Sequence, residues 1–260
     1  MPDAILLAER RGATLVLRLN RPDAGNAIDR HLAQALLEQL DQCEGDASLR
    51  AIVITGSGER FFCTGGDVKA YAKLESAAEL ERVFGLMREV CDRLERLPCA
   101  VIAAINGYAV GGGAELSLAC DLRVAQESAQ IGFPQSRLGL IPGWDGAQRL
   151  VRTVGRSRAA LLLFSGLRIN AREALAQGLV DEVAPDGQAL TAALALADTV
   201  AEVAPLSLAA IKDVLRDGAS GDPAARAGAR EAFSRLWFTE DHREAEKAFA
   251  EKRAPQFRGR

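Results

Sequence analysis

The 260-residue sequence has few of the residues on which several common chemistries depend. It contains only two histidines, His31 and His242, and its five cysteines show no CxxC or Cys/His metal spacing. A Ser-His-Asp or Cys-His mechanism therefore has few ways to be built, and no metal site is predicted. Acid–base chemistry falls to carboxylates, and the odd number of cysteines favours reduced thiols.

Basic clusters and long apolar runs are also missing. The 32 Lys and Arg residues are scattered among 35 Asp and Glu residues, giving a formal net charge of −3, so no basic stripe follows a phosphate backbone. No apolar run reaches the roughly 18 residues of a membrane span, and residues 1–11 lack the pattern of a signal peptide. We therefore expect a cytoplasmic protein whose partners include neither nucleic acid nor membrane.

Buried strands alternate with helices in the first half of the chain. Residues 50–55, apolar from Ala51 to Ile54, are predicted to form an unbroken buried strand, and residues 100–105 a second strand. Helical periodicity covers about 29–44, 79–96 and 114–119. This alternation predicts an α/β core without an internal linker. After Ile131 the pattern predicts a loop and then helices, at 146–154, 157–164, 171–177, 190–203, 205–216 and within about 226–257.

Two glycine-rich loops follow predicted strands, one from Phe61 to Asp67 and one from Asn106 to Gly113. Neither matches G-x-x-x-x-G-K-[ST] or G-x-G-x-x-G, so the known nucleotide-binding motifs are excluded. Taken alone, each loop is explained by tight packing. Together they are able to supply two backbone N–H donors to an oxyanion, such as the one that forms when a bond is made or broken at the α-carbon of a thioester.

Seven segments in order along the chain match one family pattern. They are LNRP with NA at 19–27, FCTGGD at 62–67, AAING at 103–107, GGGAE at 111–115, CDLR at 120–123, LGLIPG at 138–143 and AFAEKR at 248–253. Together they resemble the enoyl-CoA hydratase/isomerase (crotonase) superfamily over essentially the whole chain. The resemblance implies a spiral α/β core of repeated ββα units over 1–195 and a helical C-terminal trimerisation region over 196–260. It also implies a homotrimer or homohexamer that acts on a coenzyme A thioester without a separate cofactor.

The same resemblance assigns roles to individual residues. The backbone N–H groups of Gly66 and Gly112 would form the oxyanion hole, and Glu115 would be the first of two catalytic glutamates. The positions that would contact coenzyme A are Ala24, Gly25, Asp67, Val68, Lys69 and, through subunit packing, Lys252. For Lys69, a solvated helix residue is the alternative.

The second acid–base position departs from the family pattern, because Gln135 stands where hydratases carry their second glutamate. An amide can hold a water or a substrate oxygen but does not exchange a proton near neutral pH, so ordinary two-glutamate hydration is not expected. Asp145 is a candidate for a relocated acid, and its alternative role is the N-cap of the helix that begins at Gly146. Cys63 and Asp121 are predicted to be structural.

These residues leave three hypotheses open. In the first, the chain is an acyl-CoA lyase or isomerase in which Glu115 moves the proton and Gln135 or Asp145 orients water or the substrate tail. In the second, the same oxyanion hole serves thioester hydrolysis, hydrolytic C–C cleavage or decarboxylation. In the third, the chain binds acyl-CoA with little or no catalysis. A resemblance of fold does not choose among them.

Overall fold

The computed structural model describes residues 4–71, 74–218 and 223–260. Within them the strands are β1 Leu6–Arg11, β2 Thr14–Leu19, β3 Ala51–Gly56, β4 Phe61–Cys63, β5 Ala100–Ile105, β6 Tyr108–Val110, β7 Leu122–Gln126, β8 Gln130–Gly132, β9 Arg168–Asn170 and β10 Glu182–Ala184. The helices are α1 Arg30–Glu44, α2 Val68–Tyr71, α3 Ala77–Arg96, α4 Gly112–Leu118, α5 Gly146–Ser165, α6 Ala171–Ala176, α7 Ala189–Ala201, α8 Pro205–Gly218, α9 Pro223–Trp237 and α10 Glu240–Glu251.

The strands form two sheets that the chain visits in turn. The larger sheet has the order β1-β2-β3-β5-β7-β10 and the smaller one the order β4-β6-β8-β9. Each of the pairs β3/β4, β5/β6 and β7/β8 sends its first strand to the larger sheet and its second to the smaller sheet, and a helix follows each pair. This arrangement confirms the predicted core of repeated ββα units.

The central strands β3 and β5 are buried at every position because helices cover both faces of the larger sheet. Ile52 and Ile54 pack into a core shared with α1 and α3, whereas the alternate residues Ala51 and Val53 pack into a core shared with α7. Successive side chains of a strand point to opposite faces, so a strand covered on both sides becomes apolar throughout. That is the origin of the unbroken apolar runs.

The region after Ile131 contains strands that the sequence pattern does not predict. β9 pairs antiparallel with β8, and β10 pairs parallel with β7. Each has only three residues, too few to show a period of two, and depends on an existing sheet edge for its hydrogen bonds. The two helices predicted at 146–154 and 157–164 are the halves of α5, in which Gly155 has a non-helical backbone (φ 76°, ψ 161°).

The last helices leave much apolar surface on the single chain. Among the aromatic side chains of this region, Phe238 is 72% exposed and Phe249 is 87% exposed. Helix α7 runs across residue 195, and the division of the chain at that residue stays a prediction. No single described helix has the length and apolarity to cross a membrane, although α7 and Pro205–Asp217, bent by 111°, pass such a test as a pair.

Candidate active site

The two glycine-rich loops lie side by side because each contains a short strand, β4 in the first and β6 in the second, and these strands pair in parallel. A methyl group added to Gly65 would lie 2.7 Å from the Gly112 nitrogen, and one added to Gly113 would collide with the carbonyl oxygen of Cys63. The approach of one loop to the other therefore requires glycine at both positions. The glycine-rich composition reflects close backbone packing as well as any chemistry.

The N–H groups of Gly66 and Gly112 are not used by the described part of the fold: neither donates a hydrogen bond there. Two hydrogen bonds flank Gly66, from the Ile28 N–H to the Gly65 carbonyl (2.8 Å) and from the Asp67 N–H to the Ile28 carbonyl (2.9 Å). Gly112 opens α4, where its N–H has no acceptor within the helix. Both predicted oxyanion donors are thus available and lie on fixed backbone.

Glu115 is 2% exposed and is held by four hydrogen-bond donors. Its Oε1 accepts from the Gln135 side-chain amide (2.9 Å) and the Gly143 N–H (3.2 Å), and its Oε2 accepts from the N–H groups of Trp144 (2.7 Å) and Gly146 (3.0 Å). Burial raises the pKa of the Glu115 carboxyl above its ordinary value, although these hydrogen bonds favour the ionised form and oppose that rise. The carboxylate is therefore fixed in orientation and poorly solvated.

Gln135 lies in the 3-10 helix Pro134–Leu138 and faces Glu115 with its amide nitrogen. A carboxylate only accepts hydrogen bonds, so this orientation fits an ionised Glu115. The carbonyl oxygen of the same amide, Gln135 Oε1, is buried and has no hydrogen-bond partner among the described residues. Because an unsatisfied buried acceptor costs roughly 1–3 kcal/mol, this oxygen is a natural acceptor for a water or a substrate hydroxyl.

Asp145 occupies the N-cap position of α5, but its side chain accepts no capping hydrogen bond, so the capping role is wrong. Its backbone is left-handed (φ 61°, ψ 23°), whereas a capping side chain requires an extended N-cap residue. Its carboxylate makes no hydrogen bond or ion pair with the described residues. Left-handed non-glycine residues cost about 1 kcal/mol or more and concentrate at functional sites. Its neighbours on both sides donate to Glu115.

Cys63 and Asp121 have the structural roles that the sequence predicts. Burial raises the pKa of the Cys63 thiol to about 12, which makes it a poor nucleophile. Asp121 Oδ2 accepts from the Val101 N–H (2.7 Å) and pairs with the buried Lys212 ammonium (2.7 Å). All five cysteines lie in the described residues, buried and without a disulfide bond.

Two of the positions predicted to contact coenzyme A, Ala24 and Gly25, lie beside the first glycine-rich loop. The Gly25 carbonyl accepts from the Thr64 N–H (3.1 Å), and a methyl group on Gly25 would lie 2.9 Å from the Thr64 side chain. Gly25 has a φ of 63°, which favours glycine. The structure therefore brings Ala24 and Gly25 next to the loop that carries Gly66.

The remaining coenzyme A positions differ in their surroundings. Asp67 pairs with Arg21 (2.9 Å), and this hydrogen bond holds the pKa of the carboxyl below its usual range. Val68 and Lys69 are exposed at the start of α2. Lys252 follows α10 as its C-cap residue in a left-handed conformation, and no described hydrogen bond or ion pair joins it to the other positions. Contact with coenzyme A stays a prediction for each of them.

Two arginines near Glu115, one buried and one half-buried, could not be identified as part of the site from the sequence. Arg149 has a side chain that is 3% exposed and donates to the Trp144 carbonyl (2.5 Å), and Arg88 donates to the Gly143 carbonyl (3.3 Å). Both look like ordinary charged positions on amphipathic helices. Only the fold places them behind the loop that binds Glu115.

The chain is similar in sequence and in structure to several known proteins. The family model described as enoyl-CoA hydratase/isomerase matches residues 9–260. The chain is 41% identical to a 2,3-dehydroadipyl-CoA hydratase of Escherichia coli K12 over 98% of its own length and 99% of that protein. It is 36% identical to a short-chain-enoyl-CoA hydratase of Clostridium acetobutylicum over 95% of each chain. The crystal structure of an enoyl-CoA hydratase from Bacillus anthracis superposes with a TM-score of 0.95 at 35% identity, covering 99% of this chain and all of that one.

Proposed function

The chain belongs to the enoyl-CoA hydratase/isomerase family, and we propose that it adds water to the 2,3-double bond of a 2-enoyl-CoA, or removes it in reverse. The observation that carries this proposal is the buried Glu115 carboxylate, held on both oxygens beside loops with two unused N–H donors. The relatives named above are hydratases of acyl-CoA substrates, which supports the same reaction class here.

In the proposed reaction, the thioester oxygen accepts hydrogen bonds from the N–H groups of Gly66 and Gly112. Water attacks C3 while Glu115 takes one of its protons, and the C2=C3 electron pair moves toward the thioester to give an enolate. The negative charge on the enolate oxygen is stabilised by the two N–H donors. Protonated Glu115 then returns the proton to C2 on the same face, so one carboxyl completes a syn addition.

Gln135 has a supporting role in this scheme. Its free Oε1 accepts a hydrogen bond from the attacking water, whose other proton points to Glu115 Oε1 in place of the longest of the four hydrogen bonds, the one from the Gly143 N–H (3.2 Å). The amide thus places the water without exchanging a proton. In this scheme a glutamine is compatible with hydration at the position where the family pattern has its second glutamate.

The pH dependence of kcat/KM tests whether the reaction depends on a single acid–base group or on two. Glu115 must be ionised to take a proton, and burial raises its pKa, so activity should rise with pH above the ordinary glutamate range and then level off. In Gln135→Glu a second carboxylate lies against the first, and because two like charges repel, the pair shares one proton. Loss of that proton at higher pH should give the kcat/KM profile an alkaline limb. A bell-shaped profile in the unsubstituted chain, measured with a 2-enoyl-CoA, would contradict the scheme with one acid–base group.

Asp145 remains the alternative acid because its carboxylate has no partner in the described structure. In the scheme with Glu115 alone, Asp145→Asn should change kcat by less than about threefold, well below the factor of about 10²–10⁴ expected for a general acid. Loss of an alkaline limb in Asp145→Asn would instead make Asp145 the proton donor to C2.

The amide at position 135 also favours a second candidate function. Thioester hydrolysis, hydrolytic C–C cleavage and decarboxylation all develop an oxyanion or enolate and do not require the second glutamate. Free coenzyme A or a shortened acyl-CoA would be the product, in place of a hydroxyacyl-CoA. A chain that binds acyl-CoA and turns over none of these substrates would be a binding protein, and Glu115→Ala would then change only affinity.

We also propose that the chain assembles as a homotrimer or homohexamer, with Lys252 reaching coenzyme A through subunit packing. The exposed aromatic side chains of the C-terminal helices support this, because isolated chains seldom leave so much apolar surface in water. Light scattering during size-exclusion chromatography measures the mass directly.

A further inference from the structure

The loop from Gly143 to Gly146, which supplies three N–H donors to Glu115, is fastened to one face of α3. Phe84, Arg88, Asp92 and Glu95 follow one another along α3 at spacings of four, four and three residues. Such spacings place side chains on the same side of a helix. Phe84 and Arg88 contact this loop directly. Asp92 and Glu95 bind Arg149, which in turn binds the loop.

The first half of this face contacts Gly143. A methyl group on Gly143 would lie 2.8 Å from the Phe84 ring, and the Gly143 carbonyl accepts from Arg88 Nη1 (3.3 Å). This carbonyl belongs to the peptide unit whose N–H, on Trp144, makes the 2.7 Å bond to Glu115 Oε2. Arg88 and Glu115 therefore bind opposite ends of one peptide group.

The second half of the face holds Arg149. Its Nη1 donates to the Trp144 carbonyl (2.5 Å), its Nη2 to Asp92 (2.7 Å) and its Nε to Glu95 (2.9 Å). The two carboxylates offset the cost of burying the guanidinium, and each of its three nitrogens has a partner. A guanidinium can bind three partners in fixed directions, whereas a lysine ammonium is a single point charge.

We propose that Arg149, assisted by Arg88, is a positioning residue for proton transfer by Glu115. Arg88 holds the carbonyl of the peptide group whose Trp144 N–H binds Glu115. Arg149 holds the next carbonyl, which lies between the donors Trp144 N–H and Gly146 N–H. A residue that only joined α3 to α5 would need the carboxylates of α3 but not the Trp144 carbonyl. This inference rests on the proposed role of Glu115 and extends it to the residues that hold that carboxylate in place.

Arg152 provides a matched control for the test. It lies on the same helix as Arg149 and binds the same Glu95 (2.6 Å), but its side chain is 38% exposed and has no hydrogen bond to the loop. Replacing Arg152 removes an ion pair between α5 and α3 and leaves the support of Glu115 intact.

The experiment compares Arg149→Lys, Arg149→Met and Arg152→Met, with kcat and KM measured on the acyl-CoA that the unsubstituted chain turns over best. Both Arg149 variants should lower kcat by about tenfold with KM within about twofold, since small misplacements of catalytic groups cost rate and not ground-state binding. Arg152→Met should change neither value. Arg88→Met takes the place of the Arg149 variants if thermal unfolding shows that they do not fold.

Full kcat in Arg149→Lys, an equal loss in Arg152→Met, or a loss confined to KM would each overturn the inference. The role of Glu115 is judged separately by Glu115→Gln. An inactive Glu115→Gln beside a fully active Arg149→Lys removes the positioning role alone, whereas an active Glu115→Gln removes the proposed proton transfer.

Discussion

Replacing Glu115 by glutamine should lower kcat/KM for 2-enoyl-CoA hydration by about two to four orders of magnitude. The amide has nearly the shape of the carboxylate but cannot take a proton from water or return it to C2. It also brings an N–H₂ group toward a shell made only of donors, from Gln135, Gly143, Trp144 and Gly146. Steady-state kinetics with a 2-enoyl-CoA measures the loss.

The control for this variant is Glu182→Gln, the same change at an exposed position on β10. It should leave the rate unchanged within about twofold, as expected for a surface substitution. Thermal unfolding and binding of acyl-CoA separate a chemical defect from a folding defect. Near-normal turnover in a folded Glu115→Gln would remove Glu115 from the mechanism.

Adding one methyl group at Gly112 should lower kcat by about two to three orders of magnitude, the usual effect of losing an oxyanion donor. The new carbon would lie 2.5 Å from the indole of Trp144, which is 2% exposed and packed in the core. Either the Gly112 N–H turns away from the thioester oxygen, or Trp144 shifts and disturbs its own bond to Glu115. Both responses reduce stabilisation of the enolate.

Gly228→Ala is the matched control for Gly112→Ala. Gly228 also lies in a helix, and a methyl group there would meet nothing within 4 Å. Activity should not change, and stability should rise by up to about 1 kcal/mol because alanine favours the helix. If Gly112→Ala kept full kcat while folded, the N–H of Gly112 would not be an oxyanion donor.

Several parts of the fold follow directly from the sequence. The continuous apolar runs of β3 and β5 identify strands covered on both faces, and the stripe of Leu32, Leu36 and Leu40 identifies α1, whose N-cap Asp29 accepts from the Leu32 N–H. These signals are local, because each one lies within the sequence of a single strand or helix. The short strands β9 and β10 carry none and exist only because a sheet edge is already present.

The site shows the same division between local and distant information. The glycine loops, Glu115 and Gln135 are recognisable from sequence motifs. The support behind Glu115 is not, because Arg149 on α5 and its partner Asp92 on α3 are 57 residues apart and their side chains meet only in the folded chain. Asp145 shows the limit of a local rule, since an Asp before a helix predicts a cap and the left-handed backbone prevents it.

The most direct test of the central claim is incubation of the purified protein with 2-enoyl-CoA thioesters of increasing chain length, with products identified by mass spectrometry. Addition of one water, giving a 3-hydroxyacyl-CoA at a rate that Glu115→Gln reduces by about 10²–10⁴, is the predicted result. Unchanged substrate throughout the series, or release of free coenzyme A without any hydroxyacyl product, would contradict the proposed hydration.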